Sequence, residues 1–150
     1  MQTFKPLSLF GILFILITSG CTFSSTYLDR EQDKKDATEV IGEFYYYKQT
    51  NDSSKIYALF SSKFYTVTSK EKLNEIFTAT QNKLGTLKDT NLGQWQTKIV
   101  EGTNPSAEYA LQYKNVYEKY TATETFRLMK DNDGKIRIVG YNISSDGFFK

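Results

Sequence analysis

The chain has 150 residues and a formal net charge of +2, from 19 Lys+Arg against 17 Asp+Glu, with no histidine. Scattered, nearly balanced charge leaves no electrostatic footprint for nucleic acid, and without histidine the commonest general base, the usual neutral metal ligand and the His-dependent triads are excluded. One cysteine excludes a disulfide within the chain and a thiolate zinc site, whereas 39% hydrophobic and 15% aromatic residues are enough to pack one domain.

The first element is an address. Lys5 precedes an apolar run from Leu7 to Ile17, broken only by Ser8 and Gly11, and Thr18-Ser19-Gly20 then supply small residues before Cys21. Charge, apolar stretch and small-residue exit make a secretory signal segment over residues 1–20. The run of about eleven residues is short of the ~20 that cross a bilayer as a helix. The ending Thr18-Ser19-Gly20-Cys21 resembles the bacterial lipobox, with Thr18 where leucine is usual and Ile17 one place earlier. That resemblance implies acylation of the Cys21 thiol, cleavage before it and a membrane anchor made of lipid. Residue 22 is Thr rather than Asp, which implies sorting to the outer membrane in a host with two membranes. Two or more acyl chains make such an anchor stable, where one holds only marginally.

Residues 21–35 are expected to be a polar tether carrying the lipid, and residues 36–150 a single domain. Helix 1 is expected from Asp36, as its cap, to Thr50, because Ala37, Val40, Ile41, Phe44 and Tyr47 recur at three-and-four spacing. A short helix follows over 55–61 with Ile56, Leu59 and Phe60 on one side. Thr68 and Glu71 have capping-box spacing before a third helix carrying Leu73, Ile76, Phe77, Thr80 and Leu84, which Gly85 ends. The second half reads as strands: 94–101, an alternating stretch through Tyr109, Leu111 and Tyr113, another over 121–130, and a last over 135–143. Asp131-Asn132-Asp133-Gly134 is a hairpin turn. Phe148 and Phe149 are expected to dock a C-terminal tail. Helices followed by antiparallel strands define an α+β domain with helices on one face of a curved sheet.

That order, with EVIGEFYYYKQTNDSSKIYALFSSKF in front and GKIRIVGYNIS at the end, resembles small bacterial lipoproteins of the nuclear-transport-factor-2-like superfamily over residues 36–145. The resemblance implies N-terminal helices packed into the concave face of a bent antiparallel sheet, forming a cone. It leaves function open, since that superfamily includes isomerases, dehydratases and cyclases beside binding modules.

Candidate site residues follow from the strand pattern. Trp95, Tyr109, Tyr113, Tyr117, Tyr120 and Tyr141, with Phe126, either line a ligand pocket or fill the core, and their regular spacing favours the core. Glu124 lies two residues before Phe126, so alternation puts it on the packed face, where a carboxylate can act as a base. Without a partner in the sequence, it is expected near the strand end and in water. Tyr45-Tyr46-Tyr47 sweeps about 200° of helix circumference, so these three rings cannot share one core. Tyr45 and Tyr46 are therefore expected either at an interface, with a homodimer or an envelope partner, or lying flat over neighbouring side chains. No metal or cofactor is expected. Function is expected to be that of an envelope lipoprotein, a non-catalytic binding or accessory module for a protein, peptide or small apolar ligand. The alternative is an isomerase- or dehydratase-type enzyme using a carboxylate and tyrosine in the cone.

Overall fold

The computed structural model describes residues 23–150; the expected signal segment and Cys21 lie outside that range. The elements run β1 (Ser24–Leu28), α1 (Glu31–Gln49), α2 (Ser53–Ala58), α3 (Ser62–Tyr65), α4 (Lys70–Leu84), β2 (Leu87–Gly102), β3 (Ser106–Tyr117), β4 (Thr121–Lys130), β5 (Ile136–Ser144) and a closing 3-10 turn, Asp146–Phe149. The five strands form one antiparallel sheet in the order β1-β2-β3-β4-β5, so each strand pairs with its neighbour in sequence. Helices and sheet meet on one face, giving the expected α+β class.

The long strands β2 and β3 carry two register shifts, between Leu87 and Asp89 and between Leu92 and Gln94. A third lies between Arg127 and Leu128 on β4 against β5. Bulges bend a strand and raise its twist, so the irregularities curve the sheet around the helical layer. On the covered face alternate residues point inward: Tyr109, Leu111, Tyr113, Asn115 and Tyr117 from β3, and Ala122, Glu124, Phe126 and Leu128 from β4 are all buried.

Helix α1 starts five residues before the expected position. Arg30 is its N-cap residue and makes no side-chain cap bond; its guanidinium instead pairs with buried Asp33 at 2.7 Å. Asp36, expected as the cap, lies in the second turn and accepts from Gln32 at 2.6 Å. Likewise Ser69, not Thr68, caps α4, by accepting from the Lys72 N–H. Gly85 ends α4 at φ +82, where a Cβ would stand 2.9 Å from the Cβ of Glu118.

Three other expectations shift. Residues Ser24 to Leu28 of the expected tether form β1 on the sheet edge, so ordered structure begins before Asp36. Strand β2 begins at Leu87 rather than Gln94. Of the two tail rings, Phe148 packs against Leu84, Tyr117 and Ala122, while Phe149 is exposed.

The core is organised around one ring. Phe44 of α1 is fully buried, with its centroid 5.1 Å from Phe126, 5.6 Å from Tyr141, 5.8 Å from Phe77 and 6.2 Å from Phe60. Helix and sheet therefore share one aromatic core through Phe44 and Phe126. Truncating Phe44 or Phe126 to alanine removes apolar area and leaves a cavity, so either change is expected to cost ~3–5 kcal/mol in denaturant unfolding. A loss below ~1 kcal/mol at both positions would show that the two layers pack elsewhere.

Candidate functional site: an enclosed carboxyl cluster

Four elements bring polar groups together beneath α1. Tyr45 and Lys48 come from the last turns of α1, Asn115 and Tyr117 from β3, Glu124 from β4 and Tyr141 from β5. Glu124 and Asn115 are 0% and 1% exposed. The Glu124 carboxyl accepts from Asn115 Nδ2 at 2.8 Å and from the Tyr117 hydroxyl on Oε1, and from the Tyr141 hydroxyl at 2.9 Å on Oε2. Asn115 Nδ2 also donates to the Tyr45 hydroxyl at 2.8 Å. Lys48 Nζ donates to the Tyr117 hydroxyl at 3.2 Å and stands 5.4–5.8 Å from the centroids of Phe77, Tyr117 and Phe44.

This arrangement corrects the expectation for Glu124. It does not reach water near a strand end, because β3 continues the alternation past Tyr113 and places Asn115 and Tyr117 beside it on the same inner face. Register pairs Glu124 with Tyr113 on β3 and with Ile143 on β5, in the interior of the sheet. A carboxyl can be buried there because three donors satisfy it.

The cluster shifts its neighbours. Burial, reinforced by the nearby Glu124 carboxyl, pushes the Tyr117 and Tyr141 hydroxyls well above the usual tyrosine range. Tyr45 moves the same way for the same causes, partly opposed by its bond from Asn115. Tyr113 is pushed up to about 12 by burial alone, and Tyr109 to about 12 by burial and then by Asp33 and Asp36. Burial pulls the Lys48 ammonium down, with Glu124 opposing.

The expected candidates therefore divide. Glu124, Phe126, Tyr141 and Tyr113 meet around the cluster, with the Tyr113 ring 6.0 Å from Phe126 and 5.6 Å from Tyr45. Tyr109 is buried in the same core, close enough to Asp33 and Asp36 for their charges to reach its hydroxyl. Trp95 is half-buried, with Lys34 Nζ 4.8 Å over its ring. Tyr45 does not stand at an interface: its ring is buried, in T-shaped contact with Phe44 at 5.3 Å. The 100° step along the helix turns Tyr45 toward β3 and leaves Tyr46 outside, 62% exposed. Sequence reasoning missed Lys48 and Asn115. Each had a signal, since Lys48 falls four residues after Phe44 on the apolar stripe and Asn115 falls on the inward parity of β3.

Chemically, a carboxyl, two tyrosine hydroxyls bonded to it and a nearby ammonium are acid–base groups in contact. Their geometry spends these groups on one another, tying α1 to β3, β4 and β5. A hollow of about 500 Å³ lies instead toward the opposite face of the sheet, beside Gln96, Ala110, Arg127 and Met129. Among the described residues no group of three His, Cys, Asp or Glu side chains is placed to hold a metal ion.

Fold and site together define a small α+β domain whose single helical layer is fastened to an antiparallel sheet through an enclosed carboxyl–tyrosine cluster. The family described as "Protein of unknown function (DUF4019)" matches residues 45–141, and the chain belongs to that family. All six cluster residues fall within the match, which begins at Tyr45 and ends at Tyr141. No curated protein matches the chain.

Proposed function

We propose that this protein is an exported lipoprotein, anchored by acyl chains on Cys21, whose domain is a non-catalytic binding or accessory module. In a host with two membranes the anchor lies in the outer one, as Thr22 implies. The domain is read as a nuclear-transport-factor-2-like cone, with α1 in the hollow of the bent sheet. Its target is a protein, a peptide or a small apolar ligand of the envelope. The observation that carries the non-catalytic reading is the enclosure of Glu124: its donors come from the chain itself, and aromatic rings occupy the space where a substrate would meet it. Among the described residues no helix is long and apolar enough to cross a membrane, so the proposed membrane link rests on Cys21.

Cys21→Ser removes the only thiol in the chain. The expected result is loss of metabolic fatty-acid labelling and of membrane fractionation. A Cys21→Ser protein that still fractionates with membranes, matured as before, would remove the lipid from the account.

One observation favours an enzyme of isomerase or dehydratase type instead: the Glu124 carboxyl contacts two tyrosine hydroxyls, with Lys48 beside one of them. Affinity capture from the native envelope separates the readings. Wild type and Glu124→Gln are expected to retain the same partner and to support the same growth. A Glu124→Gln protein that folds and stays in the membrane yet behaves as a null strain would favour the enzyme.

A further inference from the structure

The two edges of the sheet are treated differently. The β5 edge is covered by the α2–α3 connection: Ser61 N donates to Ile138 O and Ile138 N to Leu59 O, both at 2.9 Å. The β1 edge has no strand beyond it among the described residues. Open edges are usually blunted by charge or proline, yet Ser24–Leu28 carries neither. At and beside this edge Phe23 is 76% exposed, Leu28 64% and Tyr27 36%. Arg30 holds its guanidinium 4.3 Å over the Tyr27 ring. The neighbouring β2–β3 hairpin, Gly102-Thr103-Asn104-Pro105-Ser106, is uncharged.

This edge is also fixed at both ends. Gly102 has φ +124, and a Cβ there would stand 2.1 Å from the carbonyl oxygen of Phe23, so glycine is what lets the start of the chain lie against β2. At the other end Asp29 sits at φ +50, donates its N–H to Thr97 O at 3.0 Å and accepts from Thr97 N at 2.8 Å on Oδ1. From Cys21 to Phe23 is two residues, at most ~7 Å of chain. That is about one headgroup layer, ~5–8 Å. A long flexible tether would let any face meet the membrane; this spacing does not.

We infer that the open β1 edge lies on the bilayer, with Phe23, Tyr27 and Leu28 in the headgroup boundary. The inference rests on the reading of Cys21 as the acylated residue. Apolar and aromatic side chains suit that boundary, where amphipathic rings keep one end apolar and one end wet. Headgroups and interfacial water can satisfy the free backbone groups of the edge. The orientation also turns the β5 edge, four strand spacings or ~19 Å away, toward solvent.

The test uses the acylated full-length lipoprotein in vesicles of phosphatidylethanolamine and phosphatidylglycerol. Acylation occupies Cys21, so an introduced cysteine is the only free thiol. A spin label on Leu28→Cys is compared with one on Val67→Cys, an exposed position beside Phe64 near the covered edge. The expected result is that the Leu28 label is several-fold less accessible to a water-soluble relaxant than the Val67 label, and more accessible to oxygen dissolved in the lipid. Phe23→Ser in the Leu28→Cys background is expected to shift the label toward the aqueous values, with acylation unchanged. Equal aqueous accessibility at both positions in an acylated protein would overturn the orientation. So would a Leu28 label shielded from both relaxants, the signature of a second copy paired on this edge. Failure of the anchor itself reads differently: the intact mass lacks acyl chains and no label associates with vesicles.

Discussion

Raising the pH from 9 to about 11 is expected to unfold the domain cooperatively. Five tyrosines, Tyr45, Tyr109, Tyr113, Tyr117 and Tyr141, hold their protons in the folded state above the ordinary range, chiefly because burial disfavours the phenolate. In the unfolded chain each ionises near 10. A group whose folded pKa lies above its unfolded one stabilises fully below the unfolded pKa and loses that contribution as pH rises toward the folded value. Each tyrosine thus removes about 1.4 kcal/mol per pH unit above 10, and the five together ~7 kcal/mol, against a domain stability of ~5–15 kcal/mol. Lys48 acts with the opposite sign, since its folded pKa is depressed. Its gain rises with pH and is complete near the unfolded lysine value of ~10.4, just as the tyrosine loss begins. The tyrosines therefore decide the outcome. The part of the absorbance at 295 nm that belongs to these five rings should rise together with the loss of far-ultraviolet circular dichroism in one steep step. Ionisation of all eleven tyrosines around 10 with the fold intact would show that these hydroxyls are open to water. Tyr117→Phe with Tyr141→Phe should make the step shallower.

Glu124→Ala is expected to be among the most damaging single substitutions in the chain. It leaves the donors of Asn115, Tyr117 and Tyr141 without their acceptor in a buried space, at about 1–3 kcal/mol for each unsatisfied group. Some re-pairing of the tyrosine hydroxyls lowers the sum, so ~4–6 kcal/mol of destabilisation is expected in chemical denaturation. Glu124→Gln keeps the shape and one carbonyl acceptor, and tyrosine hydroxyls can turn to accept from its amide; its cost is expected near 1–2 kcal/mol. The contrast carries the argument. Equal losses for alanine and glutamine would point to the charge as the essential feature, and no loss for either would mean that the cluster is wet.

Much of the fold is legible in the sequence where burial imposes a period. Phe44 and Phe126 announce themselves through the three-and-four spacing of α1 and the two-residue spacing of β4, and their rings meet as those faces require. Strand β1 is not legible, because an edge strand packs little: SSTYL carries no apolar alternation of the kind a central strand needs. The first seven residues of β2 fail for the same reason, since Lys88, Asp89, Thr90 and Asn91 are exposed. The start of α1 is hidden because its cap residue is an arginine, and a local ion pair between Arg30 and Asp33 stands where the usual cap bond would be.

The site was half legible. Parity placed Glu124 on the inner face, but three assignments were needed to see that it is satisfied there: the length of β3, the register of β3 on β4, and the bulge that turns Tyr141 inward on β5. None of those is a property of local spacing. Tyr45 and Tyr46 show the same limit. Helical geometry separates adjacent rings by about 100° but does not say which side the sheet occupies. Contact with Phe44, Tyr113 and Phe126 draws Tyr45 inward and leaves Tyr46 in water.

The proposal that this is a lipid-anchored exported protein is tested most directly by the intact mass of the protein extracted with detergent from its native envelope. The account predicts a chain of residues 21–150 whose first residue, Cys21, carries acyl chains. A mass matching residues 1–150, or a mature chain with a free Cys21 thiol, would contradict it.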